Sequence, residues 1–134
     1  MAIRISRALY DRLLVEAAAD PAREICGLLF GTDERIEATE PTANVAADPA
    51  RWFEVDPVAL FAAIRAERAG GPRLLGHYHS HPSGVAMPSA QDAAAAFDAG
   101  RFWLILGGGE ALVWRAVPGG PVQGAFEPVR LVVD

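Results

Sequence analysis

The chain has 134 residues, a formal net charge of −5, and 51% apolar against 22% charged residues. That length suits a single domain around one hydrophobic core, and the absence of a basic stripe argues against nucleic acid as a partner. No apolar run nears the ~20 residues that cross a bilayer, and the N-terminus lacks the unbroken apolar stretch of a secretory signal, so the cytoplasm is the expected location and no membrane partner is expected.

In chain order, residues 6–19 read as a helix capped by Ser6, with Leu9, Leu13 and Ala17 on one face and Asp20-Pro21 as the stop. Residues 24–30 (EICGLLF) are a short apolar run ended by Gly31, best read as a buried strand. A turn at Thr32-Asp33-Glu34 leads to a second strand over 35–39, giving a hairpin. Residues 40–51 carry turn chemistry, and 52–55 is a short strand candidate. Asp56-Pro57 starts a helix over 58–68, closed by Gly70-Gly71. Residues 74–79 form the next strand, and after a loop rich in Pro and Gly, Ser89 opens a third helix ending near Gly100. Strands over 102–106 and 111–117 bracket a glycine turn, and 123–133 supplies one or two more.

This order predicts one α+β domain over residues 1–134: a mixed, largely antiparallel sheet flanked by helices, sandwich-like and not doubly wound. Gly107-Gly108-Gly109 precedes a strand and lacks a following Lys-Ser/Thr, so it reads as a hairpin turn and not a phosphate loop.

All three histidines fall within His77-Tyr78-His79-Ser80-His81. On a strand, residues i and i+2 point the same way with Cα atoms ~6.5–7 Å apart, close enough for two imidazoles to meet at one ion. Pro82 ends the strand, so the pair sits where a pocket can open. A loop then returns to Ser89-Ala90-Gln91-Asp92 at a helix start, placing a carboxylate within reach. Two histidines and one aspartate leave a fourth position for water, the arrangement of a catalytic zinc site. The lone cysteine, Cys26, excludes a cysteine-only zinc site and any intrachain disulfide.

Other readings stand beside this one. Ser89 and Asp92 also match a capping box whose work is structural only. His77, His79 and His81 form a rival set, but His77 and His81 are ~13 Å apart in a straight strand, too far for one tetrahedral ion. His77 is expected deeper along the strand, packing or hydrogen-bonding beneath the site. Cys26 reads as a small core residue, and Trp52, Trp103 and Trp114 as core packing.

The string His79-Ser80-His81-Pro82, with Ser89 and Asp92 at their spacing, resembles the JAMM motif of the MPN-domain metalloproteases. The segment Pro21 to Gly31 is similar to the family strand that bears its catalytic glutamate, and Asn44 and the Asp48-Pro49 to Asp56-Pro57 region also resemble family sequence. The resemblance implies an MPN/JAMM-like fold with zinc held by His79, His81 and Asp92. It implies that Glu24 acts as general base toward the attacking water, and that Ser89 donates to the oxyanion. It further implies hydrolysis of an amide or isopeptide bond at the Gly-Gly C-terminus of a ubiquitin-like or sulfur-carrier protein. Two other activities remain open on this sequence: hydrolysis of a small amide by the same zinc chemistry, and capture of a Gly-Gly tail without cutting it.

Overall fold

In the computed structural model, which describes residues 1–134, seven strands and three helices follow one another. They are β1 (Ala2–Ile5), α1 (Arg7–Ala19), β2 (Cys26–Gly31), β3 (Arg35–Thr42), α2 (Pro57–Arg68), β4 (Leu74–Ser80), α3 (Ala90–Ala94), β5 (Phe102–Gly107), β6 (Glu110–Ala116) and β7 (Phe126–Val133). The strands pair in the order β1-β3-β2-β4-β5-β6-β7, and the sheet closes on itself as a barrel. Four pairings are antiparallel (β2/β3, β2/β4, β5/β6, β6/β7) and three are parallel (β1/β3, β1/β7, β4/β5). The mixed, largely antiparallel character is the expected one, whereas the closure replaces the sandwich-like arrangement.

Closure depends on β1, a strand the sequence reading did not include. It has only four residues, with Ile3 and Ile5 fully buried. Both of its neighbours, β3 and β7, run parallel to it and come from distant parts of the chain. Such a pairing has no local signature, because parallel partners cannot be joined by a tight turn.

The helices begin where side-chain caps allow. Ser6 Oγ accepts the Leu9 N–H at 3.1 Å, and Asp56 accepts the Val58 N–H at 3.0 Å just ahead of Pro57. Leu9 and Leu13 of α1 join Ile3, Ile5, Leu29, Tyr78, Leu104 and Leu106 in the main core. On β5 the alternate residues Trp103 and Ile105 face a second cluster with Trp114 and Phe126, which lies under the site described below. A strand covered on both faces explains its unbroken apolar run. Leu28, Leu74 and Ala63 form a third cluster beneath α2.

Two glycines permit close approaches in this barrel. A Cβ on Gly27 would stand 2.4 Å from the Tyr78 ring, which lies across β2. One on Gly76 would stand 1.9 Å from the Phe102 carbonyl oxygen, where β4 meets β5. No helix is long and apolar enough to cross a membrane.

Three local expectations are corrected. α3 stops at Ala94 and does not run toward Gly100. The chain leaves the helix because the Asp98 carboxylate is taken by His77 Nε2 and Trp103 Nε1, each at 3.2 Å. Residues 52–55 form no strand; only Val55 bridges, to Asn44, whose side-chain amide takes the neighbouring backbone groups instead. Trp103 and Trp114 are buried as expected, but Trp52 is 37% exposed and belongs to no core cluster.

Candidate metal centre

His79 lies near the end of β4, and His81 follows just beyond it. Their side chains share one side, and the Nε2 atoms stand 3.0 Å apart. Ser80, between them, faces the other way by strand alternation and ties β4 to the chain entering β2. Its Oγ accepts the Ile25 N–H at 2.9 Å, and its own N–H donates to Ile25 O at 3.0 Å. Glu24 therefore arrives beside His79 just before β2 begins. Its backbone is held on both sides: its N–H donates to Pro49 O at 2.7 Å, and its carbonyl accepts Asn44 Nδ2 at 2.8 Å.

Asp92 comes from α3. The capping box forms in full: Ser89 Oγ accepts the Asp92 N–H at 3.0 Å, and the Ser89 N–H donates to Asp92 Oδ2 at 2.9 Å. The same carboxylate places Oδ1 3.2 Å from His79 Nε2 and Oδ2 3.0 Å from His81 Nε2. The structural and the ligand readings of Asp92 are thus not alternatives, since the cap is what aims the carboxylate.

Glu24, His79, His81 and Asp92 are all buried, and their ligand atoms lie within 4.8 Å of one another. Glu24 Oε1 stands 4.0 Å from His79 Nε2 and has no hydrogen-bond partner. His81 Nδ1 faces the Val85 carbonyl at 2.7 Å, an acceptor only, so that nitrogen carries a proton; in the metal-free chain Nε2 holds a second one against Asp92, and gives it up to turn a lone pair toward a cation. Two imidazole nitrogens and two carboxylates converge with more acceptors than donors, which calls for a cation. Ligands of a tetrahedral ion with bonds of ~2.0–2.1 Å stand ~3.3 Å apart. The 3.0 Å between the two Nε2 atoms is close to that spacing, and Asp92 brings one oxygen to each of them, at 3.2 and 3.0 Å.

The electrostatics follow from this crowding. Burial pushes the Glu24 carboxyl up to about 7, with His81 pulling it down and Asp92 adding to the rise. Burial lowers His79 to about 4 against the opposing pull of Asp92. For Asp92 burial acts upward, but hydrogen bonds from His79 and His81 outweigh it and hold the carboxyl far below its usual range. Burial acts downward on His81, yet its bonds to Asp92 and Val85 leave it raised.

A cleft of ≈ 230 Å³ opens over this cluster between Glu24, Ala50, Arg51, Pro82, Ser83 and Ser89. On the other side of His79 lies an apolar groove of ≈ 470 Å³ walled by Phe53, Val55, Leu60, His77, Phe97 and Trp103. His77 therefore stands apart from the cluster, hydrogen-bonded to Asp98 and edge-on to Trp103 at 4.4 Å. Cys26 is buried, with Sγ 3.5 Å from Thr42 Oγ1.

The sequence reading had no role for Ser80, Val85 or Phe53. Ser80 is foreshadowed by its place between the two histidines. Val85 meets the site through its carbonyl and Phe53 through a ring stacked on His79, and neither contact leaves a trace in spacing.

A profile described as prokaryotic homologs of the JAB domain matches residues 6–117. The desampylase of Haloferax volcanii is 41% identical over 91 residues, 66% of this chain and 66% of that protein. A Thermus thermophilus protein named "Probable TtuB-protein conjugate cleaving protease" is 34% identical over 92 residues, 69% of this chain and 62% of that protein. The aligned stretch thus spans just under two thirds of the length of these two curated relatives. The solution structure of a Desulfitobacterium hafniense protein matches with a TM-score of 0.80 at 27% identity, covering 98% of this chain and 92% of that one.

Proposed function

The chain belongs to the prokaryotic JAB-domain family, and we propose that it is a zinc-dependent peptidase that cuts an amide or isopeptide bond after the Gly-Gly end of a ubiquitin-like or sulfur-carrier protein. The observation that carries this reading is the buried convergence of His79, His81 and Asp92 with an unpartnered glutamate oxygen beside them. The names of the Haloferax and Thermus relatives support the substrate class.

In this reading His79, His81 and Asp92 hold zinc, which when bound supplies a Lewis acid that polarises the scissile carbonyl and lowers the pKa of water toward ~7. Glu24 takes the proton of the attacking water at Oε1 and returns it to the leaving amine. Ser89 Oγ already accepts the Asp92 N–H, so its own proton is free to donate to the oxyanion of the tetrahedral intermediate. Glycines at the end of the substrate thread the small cleft in extended form, where a branched side chain meets its walls.

The test is incubation with a β-grasp carrier fused through its terminal Gly-Gly to a short peptide, read by intact mass. Cleavage after the second glycine, stopped by a chelator and restored by zinc, is expected. A substrate with leucine as the last glycine's replacement is expected to stay intact. Tight capture without cleavage would overturn the peptidase reading in favour of a binding module. Equal cutting of the leucine substrate would overturn the Gly-Gly specificity.

A further inference from the structure

We propose that Phe53 is a positioning residue for His79, anchored by Asn44; this rests on the zinc reading above. Metal-binding histidines are ordinarily oriented by a hydrogen bond from the second ring nitrogen to a carbonyl or carboxylate. His81 has one, to Val85 O at 2.7 Å. His79 has none: its Nδ1 is buried and no protein acceptor lies within reach. The last torsion of an imidazole side chain is intrinsically broad, so something else must hold this ring.

Phe53 supplies it. The two rings stack with centroids 4.0 Å apart and planes at 17°. Trp103 stands edge-on to both, 5.8 Å from His79 at 83° and 5.8 Å from Phe53 at 80°, and backs the stack. Turning the imidazole out of plane would drive its edge into the face of Phe53. Stacking thus takes over the orienting work that Val85 does for His81.

Phe53 lies outside the regular strands, on a segment held by the single Asn44–Val55 bridge, by the Val45 N–H donating to Glu54 O at 3.0 Å, and by the Asn44 side chain. Asn44 Oδ1 accepts the Glu54 N–H at 3.1 Å, and Asn44 Nδ2 donates to Trp52 O at 3.0 Å, so the peptide groups on both sides of Phe53 are held. The same Nδ2 donates to Glu24 O at 2.8 Å. One side chain therefore sets the aromatic clamp and the glutamate in register with each other. Phe53 also forms one wall of the apolar groove on that side of His79.

The test measures zinc affinity of the metal-free full chain by competition with a chromophoric chelator, without any substrate. Phe53→Leu is expected to weaken zinc binding about tenfold, where the worth of an aromatic pair and that of an orienting partner overlap. Its cobalt(II) spectrum is expected to shift, while Phe53→Tyr keeps both wild-type affinity and spectrum. Circular dichroism of the metal-free proteins checks that they fold, and Phe53→Met, which keeps volume but loses the flat face, serves if the leucine variant does not. Unchanged affinity and spectrum in the variant lacking the ring, or an equal loss in Phe53→Tyr, overturns the positioning role alone. A wild-type chain that binds no zinc overturns the metal reading together with it.

Discussion

Replacing Glu24 with glutamine separates the chemistry assigned to this side chain from its electrostatic cost. In the metal-free chain, burial raises the Glu24 carboxyl from 4.5 to about 7. At ~1.36 kcal/mol per unit this difference corresponds to about 3 kcal/mol. The sign follows from linkage: a carboxyl raised in the folded state contributes its full stability below its unfolded value and loses it as pH rises through about 7. Wild-type protein stripped of zinc therefore pays for ionising Glu24 between pH 5 and pH 8, and Glu24→Gln does not. Asp92 shifts the opposite way in both proteins, whereas His81, raised in part by the Glu24 charge, loses that contribution in the variant, so the difference is a ceiling. Urea unfolding of both chelated proteins at several pH values is the assay. Relative to wild type, Glu24→Gln is expected to gain up to about 3 kcal/mol on going from pH 5 to pH 8. With zinc restored, the variant is expected to keep its metal and lose ~10²-fold or more of the hydrolysis rate, since an amide cannot accept the proton. Parallel stability profiles, or turnover near wild type, would refute the reasoning.

Ser89→Ala is expected to lower kcat by ~10²-fold through loss of an oxyanion donor, and to cost about 1 kcal/mol through loss of the α3 cap, measured by melting alongside kinetics. A variant as active as wild type would leave Ser89 only its capping role. His77→Phe is expected to keep zinc and most activity, because His77 hydrogen-bonds Asp98 outside the cluster. It is expected to melt earlier, since Asp98 loses a charge-assisted partner worth about 1.5–3 kcal/mol. Loss of zinc from this variant would point to a three-histidine site instead.

The candidate site was legible because most of it is local. His79, His81, Ser89 and Asp92 lie on one strand end, one loop and one helix cap, where period-2 alternation and capping grammar constrain direction. Glu24 was not reachable that way; it entered through resemblance, and its placement depends on Ser80 and Asn44 holding chain from elsewhere. Phe53 was hidden for a related reason, because its ring meets His79 across the fold and its segment has no regular structure to give it a face. The strand and helix types were mostly readable, whereas the barrel's closure was not. It rests on β1, whose partners are set by non-local parallel pairing. The short α3 shows the same limit, since Asp98 is drawn from the helix by a histidine and a tryptophan on neighbouring strands.

Metal analysis of the purified chain tests the central claim most directly. Wild type is expected to carry about one zinc per chain, and the His79→Ala, Asp92→Ala double variant essentially none while keeping its fold by circular dichroism. Full zinc occupancy in that double variant, or a wild-type chain that takes up no zinc when it is supplied, would contradict the account.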